Sequence, residues 1–352
     1  MRAFMSHDDV AQHGAGHGDP EATYYTHPAG ICETSNVGTG TAIWAFAHIL
    51  PGARIGSECN ICDHVFIEND VIIGDRVTVK CGVAIWDGVR IEDDVFVGPH
   101  VAFTNDSFPR SKVQRRELPH TVVRRGASLG ANCTILPGLT IGSEALVGAG
   151  SVLTHDVPPF AIVVGNPARI VGYVDTDEVD QRRMARAQLP GDDKPVQRLR
   201  VAGATLSRLV RADDLRGSLV SGEVSSSIPF VPRRFFSVMH VPSKDVRGAH
   251  AHYKCKQFLV CQAGSVAVVV DDGRVREEVV LDDPQYGLYV PPMVWSVQYR
   301  YTADAILLVL ASEPYEAGDY IRDYDEYVAQ IIALADLEAD DMGQRRRASL
   351  RS

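Results

Sequence analysis

The sequence predicts an all-β protein: a left-handed parallel β-helix of hexapeptide repeats, followed by a cupin-type jelly-roll barrel. Three observations carry this. An aliphatic or aromatic residue returns at every sixth position from Val37 to Phe103 and again from Val123 to Leu153. The pattern then changes to short β-rich runs separated by turn residues. Two histidines, His250 and His252, stand two residues apart in one such run, so a strand would aim both at one side.

A period of six suits neither an amphipathic helix nor one long strand, so the chain must turn between short strands that each bury one residue. The first series runs Val37, Ile43, Ile49, Ile55, Ile61, Ile67, Ile73, Val79, Ile85, Ile91, Val97 and Phe103. The second runs Val123, Leu129, Ile135, Ile141, Val147 and Leu153. Three hexapeptides close one triangular coil, which gives about six coils. Glycine often follows the inward residue (Gly38, Gly56, Gly74, Gly98, Gly130, Gly142 and Gly148), where a tight corner calls for unusual backbone angles. The break between Phe103 and Val123 is not a multiple of six, so 104–122 leaves the coil as a polar loop, the kind of excursion that carries function.

Residues 1–22 read as a flexible arm, 23–174 as the β-helix, 175–200 as a charged linker, 201–330 as the barrel, and 331–352 as the end of a helix and a basic tail. A net charge of −10 and a pI near 5.6 argue against nucleic acid or an anionic membrane as the main partner. No long apolar run occurs, and a cytoplasmic location is expected. Seven scattered cysteines suit reduced thiols. Cys59 and Cys62 form a CxxC with no second pair at zinc spacing, which points to a structural role.

In the barrel, Gln257 stands where a metal-binding cupin would place a carboxylate, and Trp295 occupies a later stretch that would supply a histidine. The expectation is therefore a site without metal, in which imidazoles move protons. Of the two, His250 is assigned to carbon and His252 to the oxygens, with the exchanged assignment left open. Arg247 and Arg216 would hold a diphosphate or an enediolate, Arg216 having a rival role in capping a strand. Tyr289 and Trp295 either line a ligand pocket or fill the core.

The exit segment Gly165-Asn166-Pro167-Ala168-Arg169 resembles that of the hexapeptide-repeat acyltransferases. Within it, the stretches Trp44–Ala53, His64–Asn69 and Val97–Arg110 look like the nucleotide-linked amino-sugar N-acetyltransferases. That resemblance implies a homotrimer, extending to a hexamer, with acetyl-CoA between neighbouring prisms. It also implies a groove near Gly148, Ala149, Pro167 and Arg169. Asn105 and Asp106 then either grip the sugar amine or cap the loop, and His48 and His100 are weaker candidates for a base or a substrate contact. A zinc carbonic anhydrase reading would use His64 and His100, but Asn105 replaces its third histidine.

The segments Arg247–His252, Gln257–Leu259, Gly287–Pro292 and Asp319–Tyr324 resemble the cupin-fold dTDP-sugar 3,4-ketoisomerases. The whole chain resembles bifunctional ketoisomerase/N-acetyltransferases that serve dTDP-3-acetamido-3,6-dideoxyhexose synthesis. That implies dTDP-sugar substrates and a separate aminotransferase acting between the two steps. The alternative is that one half only binds a sugar nucleotide or holds the oligomer together.

Overall fold

The computed structural model describes residues 24–113, 117–174, 189–191, 193–242 and 246–335, in two compact units that meet in sequence between Val174 and Asp175. The expected arm and most of the expected linker lie outside the described residues.

The N-terminal unit is a parallel β-solenoid with three sheets as its faces. Stacked partners are one coil apart, as in Ala42↔Asn60, Asn60↔Thr78 and Thr78↔Phe96. The first face stacks eight parallel strands, from Tyr25–Thr26 to Ala161–Val164, and is closed by the antiparallel strand Arg169–Tyr173. That is more than the six coils expected, because the coil begins before Val37 and the proline-rich exit still pairs in parallel with Leu146–Val147. The long loop leaves the coil between Ala102–Phe103 of the second face and Thr121–Val123 of the third, and beyond it Thr121–Val123 pairs in register with Val89–Ile91 of the preceding coil.

Every inward residue from Ile43 to Leu153 is at most 4 % exposed, while Val37 at the open end is half-buried. A second register is buried two positions earlier and holds smaller side chains: Ala47, Ala53, Cys59, Val65, Val77 and Cys133 among them. Cys59 is thus a core thiol, which accounts for the CxxC. Thr41 shares this register and stays satisfied by donating to the Gly56 carbonyl and accepting from the Cys59 amide.

The glycines after the inward residues owe their place to a different cause from the one expected. None of the seven has a positive φ. A Cβ at Gly56 would lie 2.4 Å from the Gly74 carbonyl oxygen, and one at Gly130 would lie 2.5 Å from the Ala149 amide nitrogen. These positions are small because the next coil's backbone passes over them. The left-handed residues come two positions later, where Gly82 and Gly150 share one corner with Phe46, His64, His100 and Asn132.

The C-terminal unit is a two-sheet antiparallel sandwich. One sheet orders Val196–Arg198, Thr205–Arg208, Tyr286–Val290, Gln257–Ala263, Ile306–Ala311 and Arg234–Met239. The last residues of the expected linker thus supply its edge strand. The other sheet orders Arg276–Leu281, Val266–Asp271, Trp295–Tyr299, Arg247–His252 and Tyr320–Ile321. Leu259, Leu288 and Val309 of the first meet Val266, Val268 and Leu281 of the second in the core. A helix over 324–335 covers the outside of the second sheet. It is fastened by Tyr324, whose hydroxyl donates to Asp271 Oδ2 at 2.7 Å, and by Tyr327, which donates to the Asp271 carbonyl at 2.8 Å. Among the described residues no helix is long and apolar enough to cross a membrane.

The two kinds of small position make opposite predictions. Gly130→Ala forces backbone apart and should destabilise the solenoid by about 1–3 kcal/mol. Gly150→Asn should be close to neutral, since its corner is open and Asn132 already adopts that conformation. Thermal unfolding of the two variants checks this, and equal losses would contradict it.

Candidate functional site

The strand Arg247–His252 carries a β-bulge. Gly248 pairs with Val297 and His250 with Ser296, leaving Ala249 as the extra residue. Gly248 (φ 80°) and Ala249 (φ 47°) both turn left-handed, and a Cβ at Gly248 would lie 2.9 Å from the Ser296 carbonyl. The bulge puts Arg247 and His250 on one face. Their partners Gln298 and Ser296 lie opposite Val268 and Val270 of the core, so this face looks into the sandwich.

The two imidazoles meet there. His250 Nδ1 lies 2.7 Å from the Gly248 carbonyl, which can only accept, so this nitrogen carries the hydrogen. His252 Nδ1 donates to Asp319 Oδ2 at 3.0 Å. With both Nδ1 atoms protonated, the Nε2 atoms face each other as lone pairs 3.2 Å apart, and the Gln257 amide donates to that of His252 at 3.1 Å. The neutral pair is thus poised to take up one proton and share it.

Burial is the main reason that both imidazoles resist protonation. It brings His250 down to about 4, an effect that its bond to Gly248 partly offsets and the nearby positive charges reinforce. His252 is also lowered, chiefly by burial, while Asp319 pulls the other way and makes it the more basic partner to that extent. Tyr320 packs on both rings, with centroids at 4.9 and 4.3 Å, and the Arg322 guanidinium lies 4.3 Å above the tyrosine ring.

Asp319 also accepts from the amides of Lys254 (2.9 Å) and Cys255 (3.3 Å). His252, Cys255 and Asp319 have potential metal-ligand atoms within 4.8 Å of one another. The carboxylate oxygens are already taken by these hydrogen bonds, however, and burial raises the Cys255 thiol above its usual range. The set fits a support for His252 better than a metal centre.

Three expected residues lie elsewhere. Arg216 is at the tip of the exposed hairpin Val210–Asp214/Gly217–Ser221 and turns onto Asp214, so it does not join the histidines. Tyr289 packs against Phe230 on the outer side of the first sheet, because its neighbours Leu288 and Val290 point into the core. Trp295 is buried on the outer side of the second sheet beneath Tyr324 and Tyr327. Trp295 thus packs in a core, and Tyr289 is half-buried against the cluster that holds Phe230. Arg247 does share the imidazole face. Gln257, and Asp319, Tyr320 and Arg322 from a segment more than sixty residues further on, belong to the stretches that carry the ketoisomerase resemblance, but the sequence assigns none of them a role at His252.

In the solenoid, Asn105 donates to the Asp87 carbonyl of the preceding coil at 3.3 Å, and Asp106 Oδ1 accepts from the Phe108 amide at 2.8 Å, a loop-capping bond. Asp87 also accepts from the Asp70 amide, and its own amide donates to Glu68, so the loop root rests on a column of polar side chains. His48 lies on a face, its Nε2 2.7 Å from Glu33 Oε1. His64 and His100 share a corner with Gly82 between them, and Phe46 stacks on His64 at 4.9 Å. No third ligand joins them among the described residues. Gly148 sits under Val164, whose strand partner is Arg169, so these expected groove residues gather at one end of the first face. Ala149 lies against Gly130, and Pro167 is exposed beside them.

Comparison with known proteins divides along the same line. Residues 202–331 match the FdtA family model, described as WxcM-like, C-terminal, and residues 125–155 match a hexapeptide-repeat model. A TDP-4-oxo-6-deoxy-α-D-glucose-3,4-oxoisomerase of Aneurinibacillus thermoaerophilus is 44 % identical over 121 residues, which are 34 % of this chain and 87 % of the relative. A dTDP-3-amino-3,6-dideoxy-α-D-galactopyranose 3-N-acetyltransferase of the same organism is 61 % identical over 152 residues, 43 % of this chain and 79 % of the relative. Among solved structures, the 3,4-ketoisomerase QdtA of Thermoanaerobacterium thermosaccharolyticum in complex with TDP is 35 % identical, over 38 % of this chain and 96 % of that one, with a TM-score of 0.37. The chain therefore belongs, over its N-terminal unit, to the hexapeptide-repeat dTDP-3-amino-sugar N-acetyltransferases and, over its C-terminal unit, to the sugar-nucleotide 3,4-ketoisomerases.

Proposed function

We propose that the chain is a bifunctional enzyme of dTDP-3-acetamido-3,6-dideoxygalactose synthesis. Its C-terminal unit isomerises dTDP-4-keto-6-deoxyglucose to the 3-keto sugar. Its N-terminal unit acetylates the C3 amine that a separate aminotransferase installs afterwards. The observation that carries the isomerase reading is the imidazole pair, with both Nδ1 atoms held and the two Nε2 atoms facing each other.

The sequence assigns the carbon step to His250 with the exchange left open, and Asp319 supports the exchanged assignment, with the carbon step on His252. A base oriented by a carboxylate holds its tautomer and stabilises the imidazolium that forms. Nε2 of His252 takes the proton from C3, the electron pair forms the C3–C4 double bond, and the C4 oxygen takes the charge. A proton then returns at C4 while the O3 proton is lost, leaving the carbonyl at C3. His250, within 3.2 Å, relays protons between the oxygens. No step needs a metal in this account.

For acetyl transfer the amine must be neutral and aligned on the thioester of acetyl-CoA, which we place along the Gly148, Ala149, Pro167 and Arg169 end of the first face. The galacto configuration rests on the 61 % relationship to an enzyme named for that sugar. Asn105 and Asp106, at the loop root, are proposed to hold the sugar beside its amine.

Proton NMR of dTDP-4-keto-6-deoxyglucose in D2O, with EDTA present, tests the isomerase. Deuterium uptake and a 3-keto product are expected, lost on His252→Asn and slowed on His250→Asn. An unchanged spectrum with the wild-type protein would sink the reading. The isomerase rate should be flat from pH 8 to 7 and fall below pH 6.5, because the base must be neutral and burial places its protonation below the ordinary histidine range. The sign for stability is the same: the unfolded chain binds protons that the folded one refuses, so stability is lost as pH falls from about 6.5 towards 4. A rate that rises on acidification would contradict this. For the other half, Asn105→Ala should lower kcat/KM for acetyl transfer by about 10- to 100-fold, the value of one or two hydrogen bonds to substrate. Release of free CoA reports it, and an unchanged rate would assign Asn105 to the loop alone.

A further inference from the structure

Arg234 begins the edge strand of the first sheet and pairs with Ala311, which on its other side pairs with Gln257. Directly opposed residues project to the same side, so Arg234, Ala311 and Gln257 form one row on the inner face. Gln257 ends that row at His252. The middle residue is only a methyl group and is fully buried. The two outer members are about 10 Å apart at the backbone, and a long arginine side chain can cross the alanine towards the imidazoles.

Two further observations describe that guanidinium. It lies over the rings of Phe236 at 5.2 Å and Tyr315 at 5.6 Å, and Tyr315 in turn packs on Tyr320, which packs on both histidines. Its Nε is buried and has no hydrogen-bond partner among the described residues. A buried charged donor left unpaired is costly, and such a group usually marks a place where an acceptor arrives. The positive charge also opposes protonation of His252. It therefore helps to keep the base neutral, whereas a carboxylate there would raise its affinity for protons.

We infer that Arg234 is the donor that receives the sugar oxygen on which negative charge develops when the base removes the C3 proton. This rests on the isomerase reading above and assigns that reaction's oxyanion contact to a residue on the opposite sheet from the histidines. Arg247 and Arg322, both exposed at the same end, remain for the diphosphate. The division follows from burial: the half-buried guanidinium, whose Nε is shut off from solvent, meets the charge that exists only during reaction, and the exposed ones meet the charge that the substrate brings from solvent.

The test uses the full-length protein with Arg234→Gln and Arg234→Lys. Isomerisation of dTDP-4-keto-6-deoxyglucose is followed by NMR, and dTDP binding by calorimetry. Arg234→Gln should lower kcat by about 10²- to 10³-fold, the usual effect of removing one oxyanion donor, with the Kd for dTDP changed less than threefold. Arg234→Lys should recover at least tenfold of the loss, since it restores one charged donor. A Kd that rises in step with the fall in kcat would overturn the assignment and make Arg234 a phosphate anchor. An unchanged kcat would overturn it as well. If the wild-type protein binds dTDP but leaves the keto sugar and its C3 proton untouched, the isomerase reading itself has failed and this inference falls with it. Retained dTDP binding by Arg234→Gln shows that the barrel is folded.

Discussion

The C-terminal site depends on one buried carboxylate. Asp319 reaches the histidine strand from the 3-10 turn Ala317–Asp319 that leads into the last strand of the sheet, and accepts hydrogen bonds from His252 Nδ1 and from the amides of Lys254 and Cys255. Without that acceptor His252 could place its hydrogen on either nitrogen. With it, the free lone pair is fixed on Nε2, facing His250. The bulge at Gly248 and Ala249 supplies the other half of the arrangement by turning His250 inward, with its Nδ1 on the Gly248 carbonyl. Tautomer and direction are thus both set by local backbone geometry and one distant side chain.

The solenoid obeys a different constraint, the spacing between coils. Parallel strands of two residues bury almost nothing on their own, so each coil is stable only against its neighbours. Close stacking then excludes side chains wherever the next backbone crosses, which is why Gly56, Gly74 and Gly130 are glycine despite ordinary φ angles. It also lets side chains one coil apart form columns. The Ser57 amide donates to Asp75, whose amide donates to Asp93, and the loop that carries Asn105 and Asp106 is rooted on a similar column at Asp87. A long insertion is tolerated there because the ladder resumes in register beyond it.

Much of this was legible in the sequence, for reasons that can be named. The sixfold series marks the core because large aliphatic residues have no other reason to recur at that interval. The second buried register leaves no such mark because it mixes Ala, Thr, Cys and Val, which carry no contrast with the exposed positions around them. The imidazole pair was legible because i and i+2 share a face in any strand, and here the bulge lies before His250 and not between the two. Trp295 was not, since its strand is buried on both sides and hydrophobicity gives no parity: Ser296 and Gln298 face the core, while Trp295 faces the helix at 324–335. Arg216 kept two roles open because a charged residue in a turn carries no mark in the sequence of whether it points into a site or onto the adjacent Asp214, where the structure places it.

The two units show how differently a fold can prepare for charge. In the solenoid the polar groups near the loop root already satisfy one another, so a substrate there must compete with existing hydrogen bonds or add to them. In the barrel, Arg234 Nε has no acceptor among the described residues, and the tautomers set by Gly248 and Asp319 leave the facing Nε2 atoms without a proton between them. Both deficits sit in a low-dielectric interior, where they cost free energy in the unliganded protein, and the proposed reaction would relieve them together, by moving a proton from carbon to imidazole and developing negative charge on oxygen. An interior that is short of one proton and one anion is complementary to an enediolate beside an imidazolium, and to neither the starting ketone nor the product alone.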